Sequence, residues 1–280
     1  MVLDPNAADV RLVMALSCGS FNYVRLHRLQ KRHSMLQAEL YEAIFKRRSV
    51  KIYAQGPLSA ETLVKIDAFI SDLRPLFSGI RTEIRTTPSA EVKGMFKVEA
   101  PHFLAFFSEA KEGYLANAGF MLQQVDLFLS ANGLGSCWQG GPKPVGKTRG
   151  ASELEFVTLL AFGGPAEDPH RKSVSEFKRE PLAKMTDVKG HDDLLEPARL
   201  APSAMNNQPW RFTGGDGTLH AYSAKSLVMG RINQISVGIA LCHLWLAGLH
   251  AGKTVAISRD ESGADNAPKR YSYIASLAMK

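Results

Sequence analysis

Cysteine is scarce in this chain, and the spacing of the few cysteines excludes two kinds of stabilising site. Cys18, Cys137 and Cys242 are far apart and form no C-x-x-C pair. An odd and scattered set of thiols argues against a disulfide framework and against a zinc site, and it favours a reducing compartment. We therefore expect a cytoplasmic protein with no metal site.

Long apolar runs and a strong charge of one sign are also absent. The longest uncharged apolar run, residues 235–249, is shorter than the roughly 20 residues of a membrane helix. It predicts a buried core helix and no membrane partner. The net charge is +7 over 280 residues, and no basic stripe interleaved with aromatic residues indicates nucleic acid. No G-x-x-x-x-G-K phosphate loop is present.

Residues 1–34 differ in character from the rest of the chain. The apolar run at 10–18 follows two aspartates, where a signal peptide would carry positive charge. A basic cluster at 25–33 comes next. We expect a poorly structured extension here, and a folded region that begins near Met35.

Apolar periodicity predicts helices and strands over the remainder of the chain. The two longest predicted helices, 112–132 and 233–251, are apolar around much of their circumference, which is typical of helices in the middle of a fold. The other predicted helices cover 34–46, a stretch that begins after Ser59, and 192–200, and the predicted strands cover 81–85, 102–108, 156–162, 210–213, 218–223, 253–258 and 271–279.

The second part of the chain repeats features of the first part. Gly119–Leu122 matches Gly238–Leu241 at an offset of 119 residues, and the Phe45-Lys-Arg motif returns at Phe177. Chance similarity between amphipathic helices is the alternative, because apolar periodicity recurs readily. Since the matches occur in the same order, we predict two similar halves.

Two short segments carry the residues that are suited to binding an anionic cofactor. The first is Arg47-Arg48-Ser49-Val50-Lys51, and the second runs from Ala201 to Trp210 as A-P-S-A-M-N-N-Q-P-W. Arginine offers planar and permanently charged donors to a phosphate, and lysine can stabilise negative charge that develops on reduction. Taken alone, the first segment also fits a solvated helix end, and the second also fits a polar loop.

Together these segments resemble the signatures of the FMN-dependent nitroreductase family, in particular its fused, pseudo-dimeric branch. The resemblance covers about residues 35–280. It implies a nitroreductase-like α+β fold, in which halves 35–165 and 166–280 form a pseudo-dimer around a central mixed sheet and long core helices, as one integrated domain. The FMN-binding residues that it implies are Arg47, Arg48, Ser49, Lys51, Trp138, Gln139, Gly140, Arg171, Lys172, Pro202, Ser203 and Asn206.

Each half keeps only one part of the site that the resemblance implies. The first half lacks the Asn and the Q-P-W after Arg74-Pro75, and the second half has Arg179-Glu180-Pro181 in place of R-x-S-x-K. We therefore expect one complete FMN pocket in a monomeric chain. A second, incomplete pocket would be lined by Arg179, Glu180 and Pro181 together with Arg74, Pro75 and Ser78.

The resemblance implies an FMN-dependent oxidoreductase with NAD(P)H as the reductant. It would reduce a small electron acceptor, of nitroaromatic or quinone type, by hydride transfer through flavin N5. Lys51 would give electrostatic support, and no side chain need act as acid or base. A non-catalytic FMN-binding or storage protein stays open, because it would keep Arg47 and Ser203 as well. A nucleic-acid-binding protein is the third interpretation, and it predicts steep salt dependence of binding.

Overall fold

The structure, a computed structural model, describes residues 35–215 and 217–280. Within this part of the chain, Glu39–Lys280 form one compact unit. The extension predicted for residues 1–34, with Cys18, lies outside the described residues.

The first sheet has four antiparallel strands in the order β1-β3-β6-β4. All seven residues of its central strand β3 are buried, which fits the apolar and aromatic sequence H-F-L-A-F-F-S. A separate two-stranded ribbon pairs β2 with β5. The strands are β1 (Thr82–Pro88), β2 (Val92–Lys93), β3 (His102–Ser108), β4 (Gly135–Gln139), β5 (Lys143–Pro144) and β6 (Glu155–Gly163).

The second sheet repeats this arrangement with strands from the second half. Its antiparallel order is β7-β8-β10-β9. If the ribbon is set aside and the strands are numbered within each half, both sheets have the order first, second, fourth, third. The strands are β7 (Trp210–Gly215), β8 (Thr218–Ala224), β9 (Val255–Ser258) and β10 (Tyr271–Met279).

Two helix ends show the local chemistry that favours a helix boundary. Ser59 Oγ accepts a hydrogen bond from the Thr62 N–H and caps α2. Gly133, at a φ of 71°, follows the last residues of α3 in the left-handed conformation that helix ends favour. The helices are α1 (35–44), α2 (Ala60–Ser71), α3 (Tyr114–Ala131), α4 (Gly146–Gly150), α5 (Leu182–Met185), α6 (Asp192–Arg199), α7 (Gly230–His250) and α8 (Glu261–Asp265).

The two long helices, α3 and α7, pack against each other through a reciprocal pair of glycines. A Cβ atom at Gly119 would lie 2.0 Å from the Ile235 carbonyl oxygen, and one at Gly238 would lie 2.0 Å from the Ala116 carbonyl oxygen. The offset of 119 relates Gly119 to Gly238 and also Ala116 to Ile235. Each contact is therefore the counterpart of the other, as in an interface with twofold symmetry. The predicted α+β fold of two similar halves with long core helices is confirmed.

Helix α7 is also the apolar segment that was expected to be buried. Among the described residues it is long and apolar enough to cross a membrane, but 83% of the most apolar window is buried within the protein. It contacts the strands of the second sheet, while α3 contacts the strands of the first. Most of its apolar surface is therefore covered by the protein itself.

One detail of the predicted fold is corrected, because no single central mixed sheet is formed by the described residues. Each sheet packs on its own long helix, so the two sheets stay separate and internally antiparallel. Parallel pairing occurs at two isolated bridges on the sheet edges, Ser49 with Ser136 and Thr186 with Phe212.

Candidate functional site

A cavity of about 570 Å³ brings the two signature segments together. Its walls come from residues 47–51, the end of β4, the segment 171–179, the loop 202–206 and one face of α7. Its volume lies in the range of small-molecule and cofactor sites. Ten of the twelve residues predicted from sequence line it, namely Arg47, Ser49, Lys51, Trp138, Gln139, Gly140, Arg171, Pro202, Ser203 and Asn206.

The other two predicted residues, Arg48 and Lys172, do not line this cavity. The backbone of the first signature segment is extended, so successive side chains point to opposite sides. Arg47, Ser49 and Lys51 share the cavity side, whereas Arg48 Nη2 lies 3.3 Å from Glu167 Oε2. Lys172 is exposed. Neither side chain therefore belongs to the cavity lining, and their contact with FMN stays a prediction.

The first signature segment is held against the edge of β4. The Val50 N–H donates to the Ser136 carbonyl oxygen at 2.9 Å, next to the parallel bridge between Ser49 and Ser136. This approach requires the glycine at position 135, because a Cβ there would lie 2.7 Å from Val50 Cγ1. The segment therefore reaches the cavity as an added edge strand with a fixed register.

Arg47 is almost completely buried and is paired with a buried carboxylate. Its side chain is 1% exposed, and Nε lies 3.0 Å from Asp126 Oδ2. The two groups form an ion pair rather than an aligned hydrogen bond. Arg47 Nη2 also donates to Ser49 Oγ at 3.4 Å, and Ser136 Oγ donates to Asp126 Oδ1. A buried charge needs such partners.

A chain of buried polar groups continues from Asp126 into the second half. Gln123 Nε2 donates to Asp126 Oδ2 at 2.9 Å and lies 3.0 Å from His243 Nε2. His243 Nδ1 lies 2.8 Å from the Pro197 carbonyl oxygen, which can only accept, so Nδ1 carries the proton. Burial lowers the pKa of His243 to about 3, so the ring is neutral. This network links α3, α7 and α6 behind Arg47.

Two further arginines stand near Arg47 and share one aromatic neighbour. Arg171 Nη1 donates to the Arg47 carbonyl oxygen, and its Cζ lies 4.1 Å from the centre of the Phe177 ring. Arg179 Cζ lies 5.7 Å from the same ring. Burial first, and then the charge of Arg47, lower the pKa of both arginines to about 10. Arg171 and Arg179 are therefore both charged at neutral pH.

The electrostatic character of the cavity follows from a count of its lining side chains. Five cationic residues line it, and Glu176 is the one carboxylate among the described lining residues. Such an excess of positive charge favours an anionic ligand. The cations are Arg47, Lys51, Arg171, Lys178 and Arg179.

Arg179 was expected to line a different, incomplete pocket, and that prediction is wrong. Its Nε donates to the Ala201 carbonyl oxygen at 3.0 Å, and Nη2 donates to the Leu200 carbonyl oxygen at 3.2 Å. Carbonyl groups at a helix C-terminus lack partners within the helix, so the end of α6 attracts this side chain. The sequence match between Phe45-Lys-Arg and Phe177-Lys-Arg does not mark equivalent places in the fold.

The second signature segment forms a tight loop that is held by its own side chains. The Gln208 N–H donates to Ser203 Oγ at 2.9 Å. Asn206 accepts from Arg179 Nη1 at 2.6 Å through Oδ1 and donates to the Lys178 carbonyl oxygen at 2.7 Å through Nδ2. Met205, Asn206 and Gln208 have φ values of 51°, 57° and 48°. Such strained backbone is frequent at functional sites.

The cavity also has an apolar wall that the sequence analysis did not assign to the site. Ile232, Ile235 and Ile239 of α7 line it, together with Val157 and Met205. The three isoleucines are spaced at i, i+3 and i+7, which places them on one face of the helix. This spacing was the available signal, but an apolar stripe on a core helix predicts packing just as well.

The equivalent place on α3 is filled by side chains. By the offset of 119, Gly113 corresponds to Ile232. A Cβ at Gly113 would lie 2.5 Å from Phe77 Cε2, so the phenylalanine ring occupies this space. Phe120 packs on Trp245 at 5.4 Å between ring centres, and Arg74 Cζ lies 5.4 Å from the Trp245 ring. Arg74 is therefore part of this packing and does not meet Arg179 in a second pocket.

A family assignment agrees with these motifs. Residues 39–248, more than half of the chain, match the family model described as "Putative TM nitroreductase". The chain belongs to this family. No curated protein sequence matches the chain.

Solved structures show similarity to the same family. The crystal structure of a putative nitroreductase from Thermotoga maritima has 20% sequence identity and a TM-score of 0.58, and the match covers 86% of this chain and 92% of that one. A nitroreductase family protein from Clostridium difficile has 17% identity, a TM-score of 0.42 and coverages of 53% and 94%. A putative nitroreductase from Desulfovibrio desulfuricans, in complex with FMN, has 19% identity, a TM-score of 0.38 and coverages of 52% and 93%. The Thermotoga structure shows a shared fold.

Membership of the nitroreductase family, together with the fold, supports an oxidoreductase. The cysteines of the described region offer no alternative chemistry, since Cys137 and Cys242 are buried. Burial raises the pKa of the Cys137 thiol, so the group is protonated at neutral pH. The residues of the cavity can bind and orient a ligand, and they include no activated nucleophile.

Proposed function

We propose that the chain binds FMN in this cavity and transfers reducing equivalents from NAD(P)H to a small electrophilic acceptor, of nitroaromatic or quinone type. The observation that carries the proposal is the cationic lining, five cations against one carboxylate, in a member of the nitroreductase family. A phosphate dianion suits this lining. Bound FMN supplies the redox chemistry, with hydride exchange at N5, while the protein supplies position and electrostatics.

The donor set of the cavity fits a flavin mononucleotide. Arg47 and Arg171 present guanidinium groups, and Ser49 and Ser203 present hydroxyl groups. The indole Nε1 of Trp138 is buried and has no hydrogen-bond partner among the described residues. Buried polar atoms are rarely left unpaired. A ligand with polar edges as well as a phosphate would use such groups.

Each part of the lining has a distinct task under this proposal. Arg47, fixed by Asp126, and Arg171 hold the phosphate. Lys51 makes no hydrogen bond or ion pair with the described residues, so its charge is available to stabilise negative charge on the ring system. The isoleucine wall of α7 excludes water from one side. No side chain need act as acid or base, because solvent can supply protons.

The arrangement also supports a fused pseudo-dimer that acts as a monomer. The halves at 35–165 and 166–280 would take the place of two subunits and build one pocket between them. Helix α7 lines the cavity near its glycine contact with α3, whereas the equivalent place on α3 is filled by Phe77. We propose one FMN per chain, in a cytoplasmic protein whose partner is a small-molecule acceptor rather than a nucleic acid or a membrane.

The absorbance spectrum of the purified protein, followed by identification of the released flavin, tests the cofactor. We expect a yellow protein that releases FMN and is bleached by NADH or NADPH in anaerobic stopped-flow mixing. A bound flavin that stays oxidised with both nucleotides would favour the storage alternative. Release of FAD, or no flavin even after reconstitution, would contradict the proposal.

The flavin-to-chain ratio, combined with the mass in solution, tests the pseudo-dimer. We expect one FMN per chain and activity that persists at dilutions where a non-covalent dimer would dissociate. Two flavins per chain, or activity that vanishes on dilution, would mean that two chains share the site.

A further inference from the structure

Arg179 is a charged group of the cavity that is held only by neutral partners. Its three shorter hydrogen bonds go to the carbonyl oxygens of Ala201 and Leu200 and to Asn206 Oδ1. A fourth, to the Lys178 carbonyl oxygen, is 3.5 Å long. A guanidinium has five N–H groups, so at least one remains available. Among the described residues no carboxylate lies within ion-pair distance of it.

The neighbouring arginines differ in how their charge is balanced. Arg47 has Asp126 at 3.0 Å, whereas neither Arg171 nor Arg179 forms an ion pair with a described residue. Partial burial first, and then the charge of Arg47, lower the pKa of both arginines, because each guanidinium is partly removed from water beside a like charge. A ligand with two negative charges on one group would balance these two arginines.

The competing explanation is that Arg179 only caps the end of α6. Two of its bonds do go to the last carbonyl groups of that helix. However, water or a neutral amide can satisfy such carbonyl groups, and a cap does not require a charge that lines the cavity beside Arg47 and Arg171. A capping role alone does not explain why the charge of Arg179 lines the cavity.

We propose that Arg179 is a third phosphate-binding arginine of the cavity, which makes the site selective for a phosphomonoester dianion over an uncharged flavin. The inference rests on the proposed function, because it takes FMN to be the ligand. Asn206 is then a positioning residue. Both ends of its amide are engaged by Arg179 and by the Lys178 carbonyl, so it orients the guanidinium instead of contacting the cofactor.

The test compares FMN with riboflavin, which is the same ring system without the phosphate. Dissociation constants for both are measured by flavin fluorescence on the full-length apoprotein. Arg179→Gln keeps an amide donor for the helix end and removes the charge. We expect it to weaken FMN binding by about tenfold to a hundredfold, the effect of losing one charge-assisted hydrogen bond, and to change riboflavin binding less than about threefold.

Two further variants complete the comparison. Arg211→Ala removes an arginine of the same half that pairs with Asp187 and does not line the cavity, so both dissociation constants should stay at the wild-type values. Asn206→Ala keeps the charge of Arg179 and removes its Nη1 acceptor. It should weaken FMN binding more than riboflavin binding, and it serves as the test if Arg179→Gln does not fold.

The outcomes separate this inference from the proposed function. Equal losses of FMN and riboflavin affinity in Arg179→Gln, or in Asn206→Ala if Arg179→Gln does not fold, would identify a structural role and overturn the inference. Unchanged FMN affinity would also overturn it. A wild-type protein that binds neither flavin would overturn the proposed function itself.

Discussion

The two halves of the chain place the same strand order on one long helix each, and they differ in what fills the space beside that helix. Ser236 Oγ in α7 accepts from the Ala204 N–H at 3.4 Å, and Asn117 Oδ1 in α3 accepts from the Phe77 N–H at 3.2 Å. The offset of 119 relates these two acceptors. The small side chain of Ala204 leaves a cavity, whereas the ring of Phe77 occupies the equivalent space. A repeated scaffold therefore becomes asymmetric through a few side chains, with its backbone contacts retained.

The reciprocal glycine contact is the strongest test of the likeness between the halves. Gly119→Ala and Gly238→Ala should each lower the free energy of unfolding by about 3 kcal/mol, because a Cβ 2.0 Å from a backbone oxygen forces the helices apart. Urea denaturation measures the effect.

Gly230→Ala, where a Cβ would meet no atom within 4 Å, is the control and should change stability by less than about 1 kcal/mol. A large loss at one of the two crossing glycines with none at the other would show that the contacts are not equivalent.

His243 marks a chemical difference between α7 and α3. By the offset of 119, its counterpart in α3 is Gln124. The pKa of His243 is about 3 in the folded protein and about 6.5 in an unfolded chain. Between these values the unfolded state binds the additional proton, so the free energy of unfolding falls as pH is lowered, by about 1.4 kcal/mol per pH unit from this group.

His243→Gln, which installs the residue of the first half, should remove this contribution. Urea denaturation at pH 7 and pH 5 should show a loss on acidification that is about 2 kcal/mol smaller in the variant. Parallel losses in the two proteins would mean that His243 is protonated in the folded state.

Lys51, which the first half supplies to the cavity, should act mainly on the redox chemistry of the bound flavin. Lys51→Ala should lower the reduction potential of bound FMN by on the order of 30 mV, since about 1.4 kcal/mol corresponds to that shift for a two-electron couple. FMN affinity should change less, because Arg47 and Arg171 hold the phosphate.

Spectroelectrochemical titration measures this potential, and Lys172→Ala is the matched control because that lysine does not line the cavity. Equal shifts in both variants would point to a general charge effect and would remove the special role of Lys51.

Elements with a strong apolar period could be predicted closely from the sequence. The helices predicted at 112–132 and 233–251 are Tyr114–Ala131 and Gly230–His250, and the strand predicted at 102–108 is His102–Ser108. Strand β4 was missed, because Gly135–Gln139 is short and lies in a glycine-rich stretch that resembles a loop. Its strand character comes from pairing with β6, which is a tertiary contact.

The site could be predicted where a motif fixes both residue type and spacing. Arg47, Ser49 and Lys51 were assigned by a pattern whose alternation also matches an extended backbone. Arg48 does not line the cavity, since the motif does not show which side of the segment faces it, and its contact with FMN stays a prediction. Arg179 was misplaced because a sequence repeat cannot reveal that its guanidinium is drawn to the end of a neighbouring helix.

The first part of the second half contributes to the cavity as well as following directly on the first half. Residues 171–179 supply Arg171 and Arg179 to the cavity, and the Arg171 N–H donates to the Lys46 carbonyl oxygen at 2.7 Å. Most interdomain linkers can be cut or lengthened with little loss, because few contacts cross them. Here we expect a protease cut within residues 171–179 to weaken anion binding, because two arginines of the cavity and the contact with Lys46 lie in this segment.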